Sequence, residues 1–61
     1  MNTYDFYCGG QMCGTHTASE DTFADAMIAF NEVMTTAAFI ARENHGAPVE
    51  IYMNGCYLRT V

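Results

Sequence analysis

The sequence predicts a small α+β domain in which two β-hairpins flank one long helix, in the order ββαββ. An aromatic-rich opening run ends at Gly9-Gly10, a long apolar repeat of helical period occupies the middle, and Asn54-Gly55 separates two alternating segments near the end. The chain has 61 residues, of which 51% are hydrophobic. We therefore expect one folded domain spanning residues 1–61.

The first hairpin is predicted from a strand over residues 3–8 and a returning strand over residues 11–16. The glycine pair between them suits a two-residue turn, because both central positions of such a turn need positive φ. A tight turn places Phe6 opposite Cys13. Gly14 is expected to weaken the returning strand, since glycine has no side chain to pack.

The helix is predicted to begin at Thr17, with Glu20 completing a capping box and Ser19 as the competing cap. His45-Gly46 is expected to end the helix, because glycine is favoured just past a helix C-terminus. The predicted helix has ~24–27 residues and is roughly 36–40 Å long. Since this exceeds the length of a typical strand, we expect one end to overhang the sheet.

One stripe of the helix is predicted to face the sheet. Its members recur at spacings of three and four residues, as one face of a helix requires. They are Phe23, Met27, Phe30, Met34, Ala37 and Ala41, and the stripe is widened on one side by Ala26, Ala29, Val33 and Ile40.

The second hairpin is predicted from residues 49–53 and 56–61, because an Asn-Gly pair between alternating segments is a strong hairpin signal. A type I′ turn gives the cross-strand pairs Met53–Cys56, Tyr52–Tyr57, Ile51–Leu58 and Glu50–Arg59. The face with Ile51 and Leu58 is expected to be core. The opposite face would then carry a tyrosine pair and an ion pair.

The net charge indicates what kind of partner the protein binds. Seven acidic residues and two arginines, with no lysine, give −5 at pH 7. Nucleic acid and anionic membranes would be repelled, so we expect direct binding to neither. A basic protein surface is the complement, although the charge could serve solubility alone. Without an export signal or a long apolar run, we expect a cytoplasmic protein that does not cross a membrane.

Three cysteines and two histidines raise the question of a metal or a reactive thiol: Cys8, Cys13, Cys56, His16 and His45. Their spacing matches no common zinc motif, so we expect buried thiols without a metal or cofactor, with a Cys8–Cys13 disulfide as an alternative. In the expected register His16 points away from the face that both cysteines share. No nucleophile–base spacing or catalytic motif is present, so we expect no enzyme.

Two surfaces are candidate binding sites. The helix side opposite the predicted core stripe carries Asp21, Asp25, Ile28, Glu32, Phe39 and Glu43. The apolar Ile28 and Phe39 among four acids indicate an interface with apolar anchors, although chance exposure or cover by the first hairpin are alternatives. The sheet face away from the helix would expose Tyr7, Tyr52 and Tyr57. Tyrosine is enriched at protein interfaces, so a protein partner or a second copy of the chain fits this face.

The chain resembles the small phage-encoded inhibitors of bacterial defence called anti-CRISPR proteins. The resemblance rests on the Met1-Asn2-Thr3-Tyr4 opening, the ββαββ order and four acids on one helix face, namely Asp21, Asp25, Glu32 and Glu43. It implies a non-catalytic inhibitor that occupies a basic, nucleic-acid-binding surface of a CRISPR effector in a bacterial cytoplasm. The alternatives are a homo-oligomeric structural or accessory domain, in which a homodimer buries one of these surfaces, and a small cysteine-based metal or redox protein.

Overall fold

A computed structural model describes all 61 residues and confirms the predicted α+β fold. Its elements are β1 (Asn2–Cys8), β2 (Gln11–Ala18), α1 (Phe23–Glu43), β3 (Glu50–Met53) and β4 (Cys56–Thr60). The strands form one antiparallel sheet in the order β2-β1-β3-β4. The hairpins therefore lie side by side, and α1 covers one face of the sheet.

Both predicted two-residue turns are confirmed. Gly9 and Gly10 have φ values of 58° and 82°, and Asn54 and Gly55 have values of 52° and 84°. Positive φ at both central residues is what a type I′ turn requires. The turn residues therefore close both hairpins where the sequence places them.

Pairing of β1 with β3 joins the two hairpins. Phe6 lies opposite Ile51 in this pair, and both side chains are fully buried. Asn54 makes two hydrogen bonds at the end of the pair. Its side-chain oxygen accepts from the Thr3 backbone N–H at 2.9 Å, and its backbone N–H donates to the Thr3 carbonyl at 2.8 Å. The second turn is thereby fixed to the start of the first strand.

A β-bulge in each edge strand shifts the expected pairing. Phe6 lies opposite Gly14 instead of Cys13, because the register shifts by one residue between Phe6 and Tyr7. In the second hairpin Ile51 lies opposite Arg59, with Leu58 as the extra residue. The predicted Phe6–Cys13, Ile51–Leu58 and Glu50–Arg59 pairs are therefore wrong, since one inserted residue offsets every pair beyond it.

The helix is shorter than predicted and begins later. Its N-cap is Thr22, whose hydroxyl accepts from the Asp25 backbone N–H at 3.1 Å. Thr17 cannot cap the helix because it is paired with Thr3 inside β2. The helix has 21 residues. The prediction that His45-Gly46 ends the helix is confirmed. Both residues have positive φ, and the Gly46 backbone N–H donates to the Ala41 carbonyl at 2.7 Å.

The buried helix face is not the stripe of large side chains. The residues of α1 that are buried are Ala29, Val33, Ala37 and Ile40, all of which belong to the face that was predicted to be core. Phe23 is 81% exposed and Phe30 is 56% exposed, so the prediction that they face the sheet is wrong. Small side chains let α1 lie close over β1 and β2. A Cβ atom at Gly14 would lie only 3.2 Å from Cδ1 of Ile40.

The orientation of α1 on the sheet predicts different losses of stability for the same substitution at two positions in the helix. Ile40 is 8% exposed and Ile28 is 57% exposed. We expect Ile40→Ala to lower the free energy of unfolding by about 2–5 kcal/mol, because it leaves a cavity beneath Gly14. Ile28→Ala should change it by about 0.5 kcal/mol or less. Urea unfolding followed by circular dichroism measures both, and equal losses would contradict the assigned core face.

Candidate functional site

The predicted helix residues form a lateral flank of α1, which we call the acidic flank. It consists of Asp21, Asp25, Ile28, Glu32, Phe39 and Glu43. Successive helix residues are rotated by about 100° around the helix axis. Measured from the buried Val33, the side chains of Asp25, Glu32 and Glu43 lie about 80–100° around the axis to one side. The flank borders β2, since His16 Nε2 lies 3.2 Å from Glu32 Oε1. Ile28 and Phe39 lie about 120–140° to the same side, and Asp21 precedes the N-cap Thr22. The helical members therefore share one side of α1, and the acids among them are not opposite the core.

The carboxylates of the acidic flank have few partners. Asp21 accepts from the Ser19 hydroxyl at 2.8 Å, and Glu32 contacts His16. The contact with His16 is an ion pair only when the imidazole is protonated, and neither arginine forms a salt bridge. Most of the negative charge on this flank is therefore uncompensated within the protein.

Two large apolar side chains lie within the acidic flank. Ile28 and Phe39 are exposed, Phe39 to 61%. Phe39 also lines a shallow depression of ≈ 210 Å³ together with Thr35, Ala38 and Arg42. An exposed ring beside a depression can act as an anchor for a partner side chain. The flank thus combines charge with two apolar contact points.

The tyrosine face is the outer side of the sheet and is defined by Tyr7, Tyr52 and Tyr57. The Tyr7 and Tyr52 ring centroids are 5.2 Å apart and those of Tyr52 and Tyr57 are 5.6 Å apart, each pair with an interplanar angle of 72°. These edge-to-face contacts link the three rings into one row across β1, β3 and β4. The structure therefore brings the three predicted tyrosines together.

Two carboxylates accompany the tyrosine face and were not among the residues predicted to bind a partner. A concavity of ≈ 350 Å³ is lined by Asp5, Tyr7, Gly10, Glu50, Tyr52 and Gly55. Asp5 accepts from the Thr15 hydroxyl at 3.0 Å. Glu50 lies opposite Thr60 because the bulge in β4 displaces Arg59. The expected ion pair is absent, and the tyrosine face carries negative charge.

A third surface was predicted to be core, but its large side chains are exposed, except for Met34, which packs against the core. We call it the apolar groove: Phe23, Met27, Phe30 and Met34 on α1, with Leu58 on β4. Its centre is a cavity of ≈ 170 Å³ between α1 and the sheet, also lined by Glu20 and Arg59. The groove borders β3 and β4, on the opposite side of α1 from the acidic flank. Gly14 is the sequence signal that could have located it, because a glycine in β2 permits the close approach that rotates α1.

Glu20 fixes the connection between β2 and the helix. Its carboxylate accepts from the Tyr4 hydroxyl at 2.7 Å and from the Asn2 side-chain amide. These two hydrogen bonds hold the pKa of Glu20 below its usual value. Burial, together with the hydrogen bond to Glu20, raises the pKa of Tyr4 to about 12. Both shifts favour a neutral phenol donating to an ionised carboxylate at pH 7.

The cysteines are free thiols, and the expectation that they are buried is wrong, because Cys13 and Cys56 are exposed and Cys8 is only partly buried. Partial burial and the neighbouring Cys13 thiol raise the pKa of Cys8. The β2 bulge also places His16 opposite Tyr4, on the helix side of the sheet, and Cys8 packs against the core on that side. The expectation that His16 points away from Cys8 is therefore wrong. No group of three or more His, Cys, Asp or Glu side chains is arranged to hold a metal ion.

Helix α1 satisfies the length and hydropathy expected of a membrane-spanning segment, with a mean hydropathy of 1.2. A core helix of a soluble protein has the same properties, and four residues of α1 are buried against the sheet. The hydropathy of α1 is therefore weak evidence for a membrane.

Comparison with known proteins finds no matching family model, no matching curated protein and no matching solved structure.

The Glu20 hydrogen bonds predict a specific acid dependence. A carboxylate whose pKa is lowered by folding stabilises the folded state above its unfolded pKa of about 4.3, and this contribution is lost as pH falls through the folded pKa. We expect Glu20→Gln to be less stable than the parent at pH 7, with the difference shrinking below about pH 4.3. Urea unfolding at a series of pH values measures this.

Glu43→Gln is the matched control, because the Glu43 carboxylate lies on the exposed last turn of α1. Its effect on unfolding should be smaller and should show no comparable loss in acid. A Glu20→Gln difference that stays constant from pH 7 to pH 3 would contradict the role assigned to the ionised carboxylate.

Proposed function

We propose that this protein is a non-catalytic binding protein that presents the acidic flank to a basic surface of another protein. The observation that carries the proposal is the alignment of Asp25, Glu32 and Glu43 along one side of α1, with Asp21 just before the helix and neither arginine paired to any of the four. Opposite potentials across an interface speed encounter and fix the orientation of the partners. The uncompensated flank supplies such a potential.

Ile28 and Phe39 give the acidic flank a means of holding a partner after encounter. Binding energy concentrates in a few large side chains that lose contact with water, while surrounding charges act mainly on association. Phe39 is the larger of the two and lies beside a depression. We therefore assign the carboxylates to association and Phe39 to retention of the partner.

The more specific form of the proposal is an inhibitor resembling anti-CRISPR proteins. The partner would be the basic nucleic-acid-binding surface of a CRISPR effector, and the site of action would be the cytoplasm of a bacterial host. What supports this form is the small acidic ββαββ domain with its carboxylates on one side. The carboxylates would take the positions that nucleic-acid phosphates occupy on the effector.

The tyrosine face is the second candidate surface for the same function. Tyr7 and Tyr52 share a concavity with Asp5 and Glu50. Aromatic rings beside carboxylates suit an arginine or lysine side chain, through cation–π contact and charge. A basic partner could therefore bind the outer sheet face instead of the helix.

Two charge reversals that change the net charge equally show whether the partner binds the acidic flank or the tyrosine face. Purified guide-loaded CRISPR effectors are tested for inhibition of DNA cleavage, and the association rate with each inhibited effector is measured by biolayer interferometry. Glu43→Lys should slow association and flatten its dependence on salt, whereas Glu50→Lys should have the smaller effect. The reverse order would move the site to the tyrosine face, and no inhibition across the panel would contradict the anti-CRISPR form.

A matched pair of phenylalanines tests the anchor. Phe39 and Phe30 are exposed to 61% and 56%, on opposite sides of α1. We expect Phe39→Ala to speed dissociation from the partner by roughly thirtyfold, which corresponds to about 2 kcal/mol. Phe30→Ala, outside the acidic flank, should have the smaller effect on dissociation. Parent-like dissociation of the Phe39 variant would remove Phe39 from the interface.

A further inference from the structure

We propose that the apolar groove binds a second copy of this chain, forming a two-fold symmetric dimer. The groove contains the most exposed phenylalanine, Phe23 at 81%, together with exposed Met27, Phe30 and Leu58. Only eight of 61 residues are buried within one chain. A domain of this size supplies a small core, and association of two copies is one way such domains gain stability.

The exposed apolar area is of the size that an interface uses. A phenylalanine side chain buries about 150–250 Å² when fully covered, so the exposed parts of Phe23 and Phe30 together offer roughly 200–350 Å². Met27 and Leu58 extend this area further, and an exposed apolar patch of several hundred Å² is often an interaction surface. A standard interface covers about 800 Å² per partner, roughly a fifth of the 4094 Å² surface of this chain.

The charges around the groove are self-complementary. Glu20 and Arg59 both line it, and they form no ion pair with each other. Glu20 is hydrogen-bonded to Tyr4. Arg59 pairs with Ile51, which pairs with Phe6, two residues further along β1 than Tyr4. The two charges thus occupy different positions along the groove. A two-fold axis through its middle places Arg59 of one copy toward Glu20 of the other.

The remaining charge distribution permits this contact. Each chain carries a net charge of −5, and two copies joined through an acidic surface would repel each other. The acidic flank lies on the opposite side of α1 from the groove. Contact through the groove therefore keeps the two acidic flanks apart, with one cation and one anion from each copy at the interface.

Sheet extension is the less favourable way for two copies to join. The edge strands are β2 and β4, and each contains a bulge. Bulges disrupt the regular row of hydrogen-bonding groups and twist an edge away from pairing with another sheet. The second copy is therefore placed on the groove and not along an open strand edge.

Sedimentation equilibrium from micromolar to millimolar concentration tests the proposal. We expect the parent to approach twice its 6.8 kDa mass as concentration rises. Phe30→Glu and Leu58→Glu, on opposite walls of the groove, should each remain at 6.8 kDa, with circular dichroism showing that the fold is kept. Phe39→Glu, of similar exposure on the acidic flank, should dimerise like the parent, so this result is independent of the proposed function.

The two arginines provide a second matched pair. Arg59→Ala should weaken dimerisation and reduce its dependence on salt, whereas Arg42→Ala, in the last turn of α1, should not. A parent that stays at one chain mass up to millimolar concentration overturns the proposal, as does a dimer disrupted by Phe39→Glu but not by Phe30→Glu. Sedimentation of a monomeric parent with phosphatidylcholine vesicles would identify a bilayer as the occupant and would also overturn it.

Discussion

The pairing of β1 with β3 is the contact on which the rest of the fold depends. Each hairpin is local in sequence, and an isolated two-stranded hairpin is marginally stable in water. Phe6 and Ile51 lie opposite each other in this pair and are fully buried, so joining the hairpins creates the sheet and its core together. Because 45 positions separate these residues, their pairing also carries a larger loop-closure cost than closing either hairpin. Helix α1, which connects the hairpins, reduces that cost by spanning the distance as one rigid element.

The two bulges determine what the joined sheet presents on each side. In β2, the bulge turns Gly14 toward α1, where the missing side chain admits Ile40. In β4, it moves Arg59 out of line with Glu50 and into the groove with Glu20. One extra residue in each edge strand therefore sets both the depth at which the helix packs and the charge of the tyrosine face.

The turns and the order of elements follow from the sequence because they depend on local chemistry. Gly9-Gly10 and Asn54-Gly55 accept positive φ, and the period of the central segment permits only a helix. The face of that helix is not local information. Large and small apolar side chains form adjacent stripes on α1, and the choice between them depends on how closely the sheet lets the helix approach. Neither bulge has a distinct sequence signal, so the unpaired Glu50 follows only from the assembled sheet.

The division of α1 into three sides has a consequence for binding. The small side chains face the sheet, the acidic flank borders β2, and the apolar groove borders β3 and β4. Since the two exposed sides share no residue, occupation of the groove leaves the acidic flank accessible. A dimer formed through the groove would carry two acidic flanks directed away from each other. Two such flanks on one particle can engage two basic sites on a single target, and the second contact then gains from the high effective concentration set by the first.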